Sequence, residues 1–140
     1  MLKINHCGAV SFEFLLVVVP VLLLIIGIID LGRYAITIQS LNRLASAGAR
    51  DVMVHCYSDK VLHNKSPSEC SSYTPLPVAS DQQAVAPYLF GAGLTPTLVI
   101  APVGAGATAL TITATQPTFT MIMPGFAALN GPSASTSIPF

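Results

Sequence analysis

No charged side chain occurs in the 59 residues from Gln82 to Phe140. Over the whole chain 9% of residues are charged, where a soluble domain carries about 25%. Part of the molecule therefore meets something other than bulk water. The 6 Lys and Arg balance the 6 Asp and Glu, and the basic residues form no cluster, which excludes the electrostatic footprint of a nucleic-acid binder. Catalytic signatures are missing as well: the chain has no glycine-rich phosphate loop, no H-E-x-x-H and no G-x-S-x-G. The carboxylates Asp30, Asp51, Asp59, Glu69 and Asp81 pair at no telling spacing, and beyond residue 82 the only titratable group is Tyr88. No catalytic residue, metal site or cofactor is expected from this pattern. An Asn-Lys-Ser sequon at Asn64 is a three-residue match with Pro67 close behind, and it carries little.

The apolar residues that are present are concentrated. Phe14 to Ile29 holds no polar side chain, and Ala9 to Ile29 is broken only by Ser11 and Glu13. As an α-helix, 21 residues at about 1.5 Å each span about 31 Å, close to the hydrocarbon thickness of a bilayer. The remainder of a 140-residue chain is too small to bury a helix that is apolar on every side, so a membrane segment is the expected reading. A cleaved secretory signal fits poorly. The run is too long, and it ends in "IIDLGRY" rather than a small-x-small site. Charge alone leaves the orientation open: Lys3 in the head favours a cytoplasmic N-terminus, whereas Arg33, Arg43 and Arg50 argue the other way.

Helical periodicity continues beyond the apolar run. Leu31, Tyr34, Ile38, Leu41, Ala45, Gly48 and Val52 recur at spacings of three and four, opposite a polar side of Arg33, Gln39, Asn42, Arg43, Ser46 and Arg50. One helix from about Ala9 to about His55 is predicted, bent locally at Pro20 and narrowed at Ala45, Ala47, Gly48 and Ala49 where something packs closely. Residues 56–80 read as a loop. "SDQQAVAPYLFGAG" reads as a short helix capped by Ser80 or Asp81. "PTLVIAPV", "ATALTITATQPTFTMIM" and "SASTSIPF" then predict three or four antiparallel strands, with Pro117 interrupting one or sitting on an edge. The expected fold is α+β, a long N-terminal helix with a transmembrane half and an amphipathic half, packed on a small C-terminal antiparallel sheet. The uncharged surface after Asp81 is either a Thr/Ser-coated face toward solvent or a face that packs on neighbouring subunits.

Of the three cysteines, Cys56 and Cys70 flank the loop. If that region lies outside the cytoplasm a disulfide is the natural expectation, worth about 3 kcal/mol for a loop near 15 residues. Two free thiols, or a metal held by His55, Cys56, His63 and Cys70, are the alternatives, although the spacing matches no structural zinc pattern.

Gly8, Ala9 and Glu13 form a further constellation with Phe14 and Pro20. The stretch "GAVSFEF" followed by the proline-interrupted apolar helix resembles the signal of type IV prepilins. The continuation "FEFLLVVVPVLLLIIGIIDLGRYAITIQSLNRLASAGARDV" resembles more specifically the TadE-like (TadE/TadF) minor pilins or pseudopilins of tight-adherence (Flp) pili. The resemblance covers about residues 8–54 and implies a pilin-like fold. It also implies cleavage by a prepilin peptidase between Gly8 and Ala9, with Glu13 as fifth residue of the mature chain. On this resemblance residues 1–8 are a leader, 9–30 a transmembrane and assembly helix, 31–55 its amphipathic continuation, 56–80 a loop region with the disulfide, and 81–140 a β-rich periplasmic region. The implied partners are other pilin subunits, the prepilin peptidase, an inner-membrane assembly platform and membrane lipid before assembly. The implied location is the bacterial inner membrane and then an extracellular pilus. Physically, a carboxylate inside a membrane helix needs a partner. Cleavage after Gly8 creates one, the cationic α-amine of Ala9 in the same chain or a neighbour. A rival is an uncleaved membrane anchor carrying a binding domain, in which Glu13 marks the water boundary and favours the helix N-terminal dipole.

Overall fold

A computed structural model of the protein describes residues 7–91, 93–103 and 108–140, with side chains described from Phe12 onward, 124 excepted. Helix α1 runs from Cys7 to Val52 and is continuous through Pro20. Proline has no N–H, so the Leu16 carbonyl loses its intrahelical donor there. At Met53–Tyr57 the helix widens into a π-turn and then continues as α2, Ser58–Leu62. The Met53 carbonyl accepts both the Ser58 N–H and the Ser58 hydroxyl, the latter at 2.7 Å. The helix thus outruns its expected end near His55 by almost two turns. Nothing in "SDKVL" stops helix propagation, and Asn64, with φ of 52°, provides the left-handed residue after the last turn.

The segment expected to be loop contains a 3₁₀ turn, Pro67–Ser72, started by the Ser66 hydroxyl accepting the Ser68 N–H. It is followed by helices α3, Ala79–Val85, and α4, Pro87–Phe90. Neither Ser80 nor Asp81 caps α3. The residue before the helix is Val78, and Gln82 instead sends its side-chain amide to the Leu76 carbonyl at 2.8 Å.

Three antiparallel strands are present among the described residues: β1, Thr97–Val103; β2, Ala109–Thr115; and β3, Ser133–Pro139. They are ordered β1-β2-β3. Only the first part of "ATALTITATQPTFTMIM" is a strand. β2 stops at Thr115, just before Gln116 and Pro117, because proline cannot donate to a ladder. The rest crosses to the helix and includes a 3₁₀ turn at Pro124–Leu129. Gly131, with φ of 62°, returns the chain toward β3.

The period-two pattern of the strands divides the sheet into two faces. Leu110, Ile112 and Ala114 of β2, with Ala134 and Ile138 of β3, are buried against α1. The register aligns Val99, Thr113 and Ser135, and likewise Ala101, Thr111 and Ser137, on the other face. One part of the core joins Ala49, Val52, Cys56 and Cys70 to Ile100, Leu110, Ile112 and Ile138. Another joins Leu41, Leu44 and Ala45 to Ala86, Leu89, Ala114 and Ala134. Helix and sheet approach each other closely at Gly48, where a Cβ would stand 2.9 Å from Leu98 Cδ2.

The buried stripe of α1 keeps Leu41, Ala45, Gly48 and Val52 of the predicted one and departs from its first part. It runs through Gly27, Asp30, Thr37, Leu41, Leu44, Ala45, Gly48, Ala49 and Val52, while Leu31 is exposed and Ile38 only half-buried. Apolar periodicity overlooked Asp30 and Thr37 because both are polar, yet each is satisfied, Thr37 within the helix and Asp30 by a distant segment. Thr37 Oγ1 donates to the Arg33 carbonyl at 2.8 Å, and Asp30 is held by the sheet domain.

Candidate assembly helix and its junction with the sheet domain

The first half of α1 stands clear of the sheet domain. From Phe12 to Leu24 every large apolar side chain but Val18 is exposed, with Phe12 at 68% and Phe14 at 65%. Exposure on this scale forfeits the hydrophobic stabilisation that a core provides, so the surface requires lipid or protein around it. Among the described residues, this is the one helix long and apolar enough to cross a membrane.

Glu13 and Phe14 lie exposed near the start of this surface, and Pro20 is exposed within it. Gly8 and Ala9 belong to the helical backbone of α1, while their side-chain surroundings and the preceding residues 1–6 fall outside the described residues. Because residues 9–13 are helical, Ala9 and Glu13 are separated by one turn, about 6 Å along the axis.

The junction between helix and sheet is built on Asp30, whose side chain is wholly buried. Its Oδ2 accepts the backbone N–H groups of Ile122 at 2.8 Å and Met123 at 2.9 Å, and its Oδ1 lies 3.4 Å from the Arg33 guanidinium. Arg33 in turn lies over the Phe119 ring, 5.5 Å from its centroid, and Tyr34 meets the same ring at 6.4 Å. Arg33, Thr37 and Phe119, with Tyr88, Gly91 and Leu94, line a cleft of about 320 Å³. The carboxylate thus ties the 119–131 connection to the helix at the edge of the apolar run. In the sequence Asp30 stands out only as an unpaired acid. The signal available was its position: Gly27, Asp30, Tyr34, Thr37 and Leu41 follow one another at spacings of three and four.

A second carboxylate, Asp51, fastens the other end. Its Oδ2 accepts the Tyr73 hydroxyl at 3.1 Å and the Leu76 N–H at 2.9 Å, while Oδ1 lies 2.9 Å from His55 Nδ1. Leu76 adopts φ of 45° and is held there from both sides, its N–H by Asp51 and its carbonyl by Gln82. Burial raises the Tyr73 phenol above its ordinary value, and the neighbouring Asp51 carboxylate adds to the effect by hydrogen bond and charge. Cys56 and Cys70 form a disulfide, which leaves no thiolate for the alternative metal site with His55 and His63. On the outer surface Lys60 donates to Glu69 at 2.6 Å; this hydrogen bond and the ammonium charge hold the Glu69 carboxyl below its usual range.

No three of His, Cys, Asp and Glu gather as a metal-binding group among the described residues. An exposed apolar helix, fixed through a buried carboxylate to a small antiparallel sheet, gives the chain an α+β architecture. Residues 8–50 match the model of the TadE-like protein family. This match lies wholly within α1, and it agrees with the resemblance carried by "GAVSFEF" and "DLGRY". TadE-like proteins are structural components associated with Tad pili. No curated protein and no solved structure matches the chain significantly.

Proposed function

We propose that the protein is a minor pilin or pseudopilin of a Tad (Flp) pilus, made with its N-terminal helix in the inner membrane and its sheet domain in the periplasm. A prepilin peptidase cuts it after Gly8, and the assembly platform then draws the apolar helix out of lipid into a bundle with other pilin subunits in an extracellular filament. The observation that carries this reading is the coincidence of the TadE-like match with the exposed apolar half of α1. Such a helix suits both environments, lipid before assembly and neighbouring helices afterwards.

Glu13 supplies the registry. Cleavage exposes the α-amine of Ala9, cationic at neutral pH, and the Glu13 carboxylate pairs with the amine of an adjacent subunit. A subunit added at the wrong height leaves an unpaired charge among apolar helices, and that mismatch disfavours it. The mechanism is thus assembly by helix packing, with the uncharged face of the sheet available for lateral contacts.

Intact-mass measurement on membrane-derived protein tests the reading. The expected mature chain begins at Ala9, and Gly8→Ala is expected to abolish processing. A wild-type chain from a host with an active prepilin peptidase that still begins at Met1 would instead indicate an uncleaved anchor.

A further inference from the structure

The sheet domain reaches back along α1 into the apolar run. Gly27 lies two residues inside that run and is buried by the connection between β2 and β3; a Cβ there would stand 3.6 Å from Met123 Sδ and 3.9 Å from Phe126 Cε2. Membrane dimensions fix where this contact falls. With Ala9 at one hydrocarbon boundary, an upright helix reaches the other at about Ile29; with Glu13 there, it does so about 20 residues later, at Arg33. In either register Gly27 is on the lipid side of the boundary, by about 3 to 9 Å.

The segment Met121–Leu129 carries no charge, and it presents Ile122 (64% exposed), Gly125, Ala127 and Ala128 outward. Ile26, Ile28 and Ile29, the neighbours in sequence of the Gly27 and Asp30 contact points, are all exposed. The N–H groups of Ile122 and Met123 are directed inward to Asp30, so these two backbone donors are satisfied at the depth where water thins out.

We propose that Met121–Leu129 is a lipid-contacting loop that rests in the interfacial region of the bilayer beside α1 before assembly, with Ile122 against the acyl chains. This rests on the reading that α1 spans the membrane. Burial to roughly 5–10 Å is the depth at which apolar interfacial elements sit. The loop thereby shields the Asp30 carboxylate from hydrocarbon and holds the sheet domain against the membrane surface.

Because the chain has no tryptophan, single-tryptophan variants of the full chain report on each position in turn. Ile122→Trp and, as an independent variant, Ala128→Trp are reconstituted in phosphatidylcholine–phosphatidylglycerol vesicles at low protein density. The vesicles carry acyl chains brominated either near the headgroup or near the methyl end. Both variants are expected to emit with a blue shift and to lose most of their intensity to the shallow bromines, and less to the deep ones. Leu22→Trp reports the span, with quenching strongest from deep bromines, and Val99→Trp on the outer sheet face is expected to remain unquenched. If Leu22→Trp is quenched while both loop variants emit as if in water, the loop proposal is overturned and the span stands. A blue shift at both loop positions without bromine quenching means protein covers the loop, which overturns it equally. Loss of quenching at Leu22→Trp would remove the span itself.

Discussion

Asp30 and Ile122 stand 92 residues apart in sequence, and the carboxylate of the first accepts the backbone N–H of the second at 2.8 Å. With Met123 beside it, this is the polar tie between helix α1 and the far connection of the sheet. Hydrogen bonds to a charged group contribute roughly 1.5–3 kcal/mol, and an orphaned buried donor costs a similar amount. Asp30→Ala is therefore expected to destabilise the junction by about 3 kcal/mol, and Asp30→Asn by less because one acceptor oxygen remains. Amide exchange of the full chain in detergent checks this. Protection at Ile122 and Met123 is expected to fall well before that of β2.

Gly48 tests the close approach of helix and sheet. Replacing glycine by alanine inside a helix gains about 0.8–1.0 kcal/mol of propensity, whereas overpacking a core costs about 1–3 kcal/mol. The new Cβ would meet Leu98 Cδ2 at 2.9 Å, the end of a flexible side chain, and Ile112 Cγ2 at 3.4 Å. Gly48→Ala is expected to lose about 1 kcal/mol net, and Gly48→Val more because its χ1 is stiff. A Cβ added at Gly32 would meet nothing within 4 Å, so Gly32→Ala is expected to gain up to about 1 kcal/mol. Denaturant midpoints of the three variants provide the comparison, and equal shifts would refute it.

The Cys56–Cys70 disulfide closes a loop with a sequence separation of 14. Reduction without mutation leaves the surrounding packing intact, so its effect reports the crosslink. A loss of about 3 kcal/mol is expected on the chain-entropy account, measured as unfolding with and without reductant. An unchanged midpoint would show that the loop is already constrained by its other contacts.

The Tyr73–Asp51 hydrogen bond sets an alkaline limit. The phenol's folded pKa lies above its ordinary value of about 10, so its contribution is complete below that value and is lost as pH rises through the folded one. Tyr73→Phe is expected to cost about 1.5 kcal/mol at neutral pH and to remove this alkaline limb. Glu69 acts in the opposite sense. Its lowered pKa means that its contribution holds above the ordinary carboxylate range and fades as pH falls through the folded value. Because Glu69 is exposed, Glu69→Gln is expected to change the acid limb only slightly. Thermal unfolding across pH separates the two.

Much of this protein is local information. An unbroken apolar run defines a helix that needs lipid or protein around it, period-two stretches locate the strands, and Pro117 marks where β2 must stop. The spacing of Gly8, Ala9 and Glu13 is likewise fixed in one dimension. Tertiary structure alone decided that the buried face of α1 continues back through Asp30, because the partners that satisfy this carboxylate lie far away in the sequence. The backbone donors that make a buried Asp30 tolerable come from Ile122 and Met123, and no local pattern connects them to the helix. Helix α1 exposes most of its N-terminal apolar run, but at Gly27 and Asp30 the fold brings the distant connection back to the helix.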